Sequence, residues 1–537
     1  MNYVPPAPKH FFEENAKNYE LFFVPLQLQC HKLMDELKNL HNPETNDTSY
    51  DHVLKYTGIF GGVQGLKMLV SVVRVKLTAY ILGGWGMGLI TAYNAVCQFL
   101  NNASNMGIPL NATRQTSELF ENGTEEQIEH KVMVIRTWVF WSALLSVFIC
   151  LFFSPVISYF FFEHDWHRWP VVMLTSLVAV SNIIAEGECA ILKGLRQVRK
   201  VAIIETILAL GTLLCTIPMY YLLGIRGILV GLIACGFLSA IVHFSFSLRL
   251  VSYKVKPLSQ KTFCEGLPLI KVGIPYVLAG VANSCLQMII PAIILAHHTM
   301  EELGYYNAGW GLMFGYAGLV FLALESDYFP RLSAVNNDKQ RMNDTVNQQI
   351  DVCALILTPL LILLVVFMPF VLQLLYEEEF LVATGMATLS VFYPFLRCLA
   401  LPMGYSILAK GHSVTYLVLE ICYDVFFGLL IWWCYNSFGL VGAGIAMSVG
   451  ALYDVVIYFL YCHFRYGFVF RSSTLLFCIG QFICLLVAVE YCYLVSPSVE
   501  EKYTAGAIAF VASSVLSLYQ LLHRSACAKY FVRKFRK

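Results

Sequence analysis

The residues in this chain best placed to do chemistry are the few charges that interrupt long apolar runs. Arg74 and Lys76 stand within Val72-Val73-Arg74-Val75-Lys76, and Arg397 stands between Pro394 and Pro402. A guanidinium presents a fork of donors that matches two phosphate oxygens, so basic groups at such depth suit an anionic ligand such as a diphosphate. Glu186, Glu420, Asp424 and Asp454 are the matching acids, with Glu420 and Asp424 spaced to share one helical face. A charge inside a membrane span is costly and faces a partner or a wet cavity. These four acids are therefore candidates for gating, or for coupling to a proton or sodium ion. Asp327 and Arg331, in Asp327-Tyr328-Phe329-Pro330-Arg331, close a helix with a proline stop and are candidates for shutting one mouth. Two plainer readings compete. Arg74 and Lys76 can snorkel from a helix end to the interface, and Arg397 can be paired to a nearby acid for structure alone.

The elements that must position these groups are membrane helices. Of 537 residues, 58% are hydrophobic and 13% charged, whereas a soluble chain carries about twice that charged fraction. A span needs about 20 apolar residues. Hydropathy places spans near 56–80, 84–106, 134–158, 169–192, 201–222, 227–250, 267–296, 304–327, 352–375, 382–409, 413–435, 439–463, 472–494 and 503–522, about fourteen. Alternate loops are rich in Lys and Arg, among them Arg114, Lys131, Lys193, Arg196, Lys254, Lys339, Lys410 and Arg465. The opposite loops carry acids, including Glu163, Glu301, Glu302 and Glu377 to Glu379. The positive-inside rule then puts both termini in the cytosol.

The two halves echo each other. Lys193-Gly194 and Lys410-Gly411 each precede a helix with an acid, Glu205 or Glu420. Gly224-Ile225-Arg226-Gly227 and Gly439-Leu440-Val441-Gly442 follow in the same order, near an offset of 215 residues. Two six-helix bundles of the same orientation result, with substrate expected between them. The expected organisation is an N-terminal extension over 1–52, an N-lobe over 53–251, a C-lobe over 262–465, two additional helices over 470–523 and a basic tail over 524–537. In the extension, Phe11, Phe12, Leu33, Met34, Leu37 and Leu40 suggest short amphipathic helices.

No P-loop is present, which argues against direct use of ATP. His297 and His298 are adjacent and point to different sides of a helix, so they do not make a metal site. No cofactor and no nucleic-acid partner are expected.

Several strings resemble the bacterial O-antigen translocases, the polysaccharide-transporter branch of the multidrug/oligosaccharidyl-lipid/polysaccharide exporter superfamily. They are Arg74-Val75-Lys76 with Leu82-Gly83; Asn105-Met106-Gly107-Ile108; Gly304-Tyr305-Tyr306-Asn307-Ala308-Gly309; Asp327-Tyr328-Phe329-Pro330-Arg331-Leu332-Ser333; and Leu408-Ala409-Lys410-Gly411. The resemblance spans roughly residues 54–520, and the acidic Glu377-Glu378-Glu379 departs from it. It implies a V of two six-helix lobes, alternating access, and an undecaprenyl-diphosphate-linked oligosaccharide as cargo. It also implies a place in the bacterial inner membrane among polysaccharide assembly proteins. Related lipid-carrier flippases line the cavity with basic residues, and Arg74 matches one such position. The alternatives are a cation-coupled drug exporter of the same superfamily and, in another class, a membrane O-antigen polymerase or ligase. The short acidic-side loops disfavour an enzyme.

Overall fold

Inside a bilayer a long apolar run satisfies its own backbone only as a helix or in a closed barrel. The computed structural model is all-α, with no strand among the described residues. It describes residues 49–524 apart from 162–165, 253, 256–259, 272–273, 317, 319–320, 322–327, 330, 334, 336–337 and 495–497. The amphipathic helices expected before residue 49 and the tail from residue 525 lie outside the described residues, as does Asp327.

Among the described residues, nine segments are long and apolar enough to cross a membrane. Two of them, Arg199–Leu248 and Ser413–Tyr466, run 50 and 54 residues, about twice what one span requires. Each is a pair of spans joined at a glycine, Gly224 in one and Gly439 in the other. Helix α1, Ser49–Ser104, is likewise two arms broken at Gly83, where φ is 62°. Its 56 residues would reach about 84 Å if straight, far beyond a ~30 Å hydrocarbon core. With α1 counted as two spans the described residues hold thirteen; the remaining expected span, 304–327, lies partly outside the described residues.

The first lobe continues with α2 (Ile108–Asn122), α3 (Glu125–Phe161), α4 (Thr175–Gly194), α5 (Val198–Leu223) and α6 (Gly227–Leu248). A short amphipathic α7 (Gln260–Lys271) leads into α8 (Ile274–His297) and α9 (Met300–Gly311). The second lobe is completed by α10 (Lys339–Val366), α11 (Met368–Leu375), α12 (Phe392–Ala409) and α13 (Ser413–Tyr466). The two additional helices, α14 (Ser472–Val489) and α15 (Val499–Arg524), pack on α10. Large apolar side chains such as Phe152, Leu214, Phe464 and Leu476 are at least 70% exposed. Bare apolar groups on this scale need lipid rather than water around them.

The repeat is written in the backbone at a constant offset of 215. Gly224 and Gly439 share a conformation near φ 58°, with ψ −134° and −142°. Three residues on, a Cβ on Gly227 would strike the carbonyl oxygen of Met219, and one on Gly442 that of Cys434. Upstream, Gln197 N–H donates to Leu192 O at 2.9 Å and His412 N–H to Ile407 O at 3.1 Å. This is the same helix-ending bond in both halves. Its left-handed position is Arg196 in one half and Gly411 in the other. The Lys-Gly strings therefore align two residues out of register, because the turn takes an arginine where its copy takes glycine. Glu205 and Glu420 fall into register, as do His243 and Tyr458.

Candidate functional site

The lobes meet at their acidic end through Lys76. Its ammonium donates to Gln373 O at 3.0 Å and to Tyr376 O, and pairs with Glu377 at 2.9 Å. The neighbouring Glu379 accepts a 2.6 Å bond from the N–H of Gly84. That N–H is free because Gly83 ends the first arm of α1, leaving the second arm with unbonded donors. A carboxylate there also opposes the positive end of the helix dipole. Below this point α1 and α9 cross almost backbone to backbone. A Cβ on Gly88 would run into Met300 O, and one on Gly304 into Gly84 O. Small residues on both helices are what such a crossing requires. The unusual acidic triplet is thus half of a latch between the lobes.

The opposite, basic end holds a cleft of about 620 Å³, largely apolar in its walls but carrying several charged and amide side chains. Asn102, Asn105 and Arg114 line it from α1 and α2, Glu186 and Lys193 from α4, and Gly280 from α8. Asn101 Nδ2 donates to Glu186 at 2.8 Å, and Asn102 Nδ2 to Ser284 Oγ of α8 at 2.5 Å. The cleft therefore lies between the two lobes, and Glu186 sits in its wall.

Arg74 and Lys76 do not converge. Two residues along a helix turn through about 200°, so such neighbours face opposite ways. While Lys76 reaches the second lobe, Arg74 faces Tyr220 of α5 and Cys235 of α6, both within reach of its charge. Arg74 has no hydrogen-bond or ion-pair partner among the described residues.

Arg397, the third expected phosphate ligand, is committed elsewhere. Its Nη1 donates to Asp454 Oδ2 at 2.8 Å, the acid-paired arrangement that competes with a ligand role. Glu420 accepts from Tyr458 Oη at 2.6 Å, and a cavity of about 10 Å³ separates these groups. Asp424 is 5% exposed and has Asn283 of α8 as its side-chain neighbour. The fold thus brings Arg397, Glu420, Asp424 and Asp454 into one cluster of three carboxylates and one guanidinium, in which Asp424 and Asp454 are buried and Arg397 and Glu420 half-buried. Arg331 stands apart from it, donating to Gln349 at 3.4 Å and lining a separate cavity with Arg471.

Sequence reasoning missed two ion pairs. Lys67 on α1 meets Glu205 on α5 at 2.5 Å. Arg136 on α3 pairs with Glu188 on α4 through bonds of 2.8 and 3.0 Å, and also donates to Ser247 and to Ser252 O. Neither cation was singled out from the sequence, because each pairs with an acid on another helix, 138 positions away for Lys67 and 52 for Arg136. The helix-facing period would have singled out Lys67, which is seven residues from Arg74.

A search among curated proteins finds no match. Among solved structures, the chain is similar to the lipid II flippase MurJ in an inward closed conformation, with TM-score 0.61, 15% identity, and 89% of this chain and 99% of that one covered. It is also similar to an inward-facing multidrug resistance MATE family transporter of the MOP superfamily, with TM-score 0.58, 14% identity, and coverage of 75% and 94%. These likenesses establish a shared polytopic transporter fold. The family model for polysaccharide biosynthesis proteins matches residues 79–384, more than half of the chain, and the protein belongs to that family, built on the fold of the MOP transporters.

Proposed function

We propose that the protein is a flippase that moves an undecaprenyl-diphosphate-linked oligosaccharide, an O-antigen or similar surface polysaccharide unit, across the bacterial inner membrane. One observation carries this reading: the lobes are latched at one end by Lys76 and Glu377 while a cleft lined by Arg114, Glu186 and Lys193 opens between them at the other. A sealed end facing an accessible one is what alternating access requires of a single state. The basic loops support a cytosolic cleft end and cytosolic termini.

The diphosphate and sugar enter through the cleft, past Arg114 and Lys193, and the polyprenyl tail stays in lipid. Arg74, inside a span and without a partner among the described residues, takes up phosphate. Lys76 acts on the gate. The second-lobe cluster of Arg397, Glu420, Asp424 and Asp454 couples the cycle to a proton or sodium ion, because three carboxylates, two of them buried, against one guanidinium leave negative charge to be neutralised. The cargo leaves chemically unchanged. The lobe limits of 53–251 and 262–465, and association with polysaccharide assembly proteins, belong to the same proposal.

The second-lobe acids would equally serve a cation-coupled drug exporter. Arg74 disfavours it, since a guanidinium repels a cationic drug. Reconstituting the protein in vesicles that carry a lipid-linked oligosaccharide tests the choice. Translocation should occur and fall at least about tenfold in Arg74→Ala, the worth of one charge-assisted phosphate contact. Translocation that proceeds equally well in Arg74→Ala removes this residue from the site; none in the unaltered protein removes the cargo.

A further inference from the structure

Three helices of the second lobe bring their basic ends around one cavity. Lys339 opens α10, Lys410 caps α12, and Arg465 lies in the last turn of α13. Together they line a space of about 190 Å³ that reaches down between the helices to the buried Ser406 and Cys462. No carboxylate among the described residues lines it. The acids nearest in sequence are engaged elsewhere: Asp338 caps α10 and pairs with Arg341 at 3.3 Å, and Asp344 pairs with Arg471. Two of the three cations are fixed at the wall. The Lys410 ammonium stands 5.8 Å over the Tyr466 ring, a favourable place for a cation. The Lys339 ammonium lies against Gly467, where a Cβ would displace it.

The carboxyl ends of α12 and α13 offset part of this charge, about half a unit each, so roughly two positive charges stay uncompensated. Closing the helix does not demand them. The corresponding cap in the first lobe is Leu195, which is buried. The surroundings show what comes to the mouth of the cavity. Phe464, next to Arg465, is 82% exposed, and Val469 is exposed beside it. Apolar groups as bare as these lie against lipid, so the three cations stand at the boundary where headgroups begin. Basic pockets between helix ends at that height suit anionic headgroups. The cavity shares no residue with the cleft between the lobes, so its occupant does not compete with the cargo.

We infer that Lys339, Lys410 and Arg465 form a binding site for the phosphate of an anionic phospholipid, whose acyl chains run along the lipid-facing side of α13 past Phe464. A zwitterionic headgroup fits less well, because its ammonium finds no carboxylate in the cavity.

The test is native mass spectrometry of the full chain in detergent, titrated with phosphatidylglycerol and, separately, with phosphatidylethanolamine. Lys410→Gln with Arg465→Gln should bind the first phosphatidylglycerol at least about tenfold more weakly than the unaltered protein, the worth of one charge-assisted contact. Its binding of phosphatidylethanolamine should not change. Lys200→Gln with Lys254→Gln removes the same charge from the basic loops of the first lobe and should leave the first phosphatidylglycerol in place. If the double variant at the cavity does not fold, Lys339→Gln alone replaces it, with a loss in the same direction. Equal affinity in the cavity variants, an equal loss in the first-lobe pair, or no preference for phosphatidylglycerol overturns the inference. Inorganic phosphate at the same concentration should not displace the lipid; if it does, the lipid source is overturned in favour of a soluble phosphate.

Discussion

Gly224 and Gly439 stand 215 residues apart and hold the same left-handed backbone, at φ 57° and 59°. Each joins two spans, and each has open space where a Cβ would sit. A valine at either position therefore meets no neighbour and is opposed by the backbone alone. Such a conformation costs a side-chain-bearing residue about 1–3 kcal/mol. Thermal unfolding in detergent should show similar losses for Gly224→Val and Gly439→Val. A large loss at one and none at the other would argue against structural equivalence of the halves.

Arg136 and Glu188 are only 2% and 4% exposed. Removing one partner leaves the other charge buried, a loss of about 3–5 kcal/mol. Arg136→Gln should lower the unfolding temperature sharply. Arg114→Gln, which breaks the exposed pair with Glu118, should cost less than about 1 kcal/mol. The same measurement on both variants separates a buried lock from a surface contact.

The crossing of α1 and α9 leaves no room for a side chain at Gly304. Gly304→Leu should hold the acidic end open. A cysteine placed at Glu377 would then react with a membrane-impermeant thiol reagent from the outer face faster than in the glycine parent, and translocation would stop. Unchanged labelling would show that the crossing is not part of the gate.

Asp424 is buried beside Asn283 of α8. If the second-lobe cluster couples transport to an ion, Asp424→Asn should leave cargo binding intact and abolish the response of translocation to an imposed proton or sodium gradient. A variant that still answers to the gradient would move coupling away from this cluster.

The architecture was legible because apolar runs, loop charges and the paired glycines are all local signals. The spans follow from run length, and the repeat follows from Gly224 and Gly439. The site was less legible because it depends on direction around a helix and on what stands opposite. Arg74 and Lys76 look like a pair in the sequence but face opposite ways, and Lys67, further off, shares the face of Arg74. Arg397 carries no local sign of Asp454, which lies 57 positions away on another helix. Glu420, Asp424 and Asp454 were foreseen as a group, since an acid in an apolar run must find company wherever it lies. The acidic triplet at Glu377 was visible as a departure from the family pattern, but its partner Lys76 was not, because their meeting depends on how the lobes close.

The central claim is that the lobes alternate about the cargo, with Lys76 and Glu377 closing the outer end. The direct test replaces both with cysteine, in vesicles carrying a lipid-linked oligosaccharide, and bridges them with a short, reducible bifunctional thiol reagent. Translocation should cease on bridging, return on reduction, and be unaffected by the reagent in the unaltered protein. Translocation that continues at the same rate with the bridge in place would contradict the account.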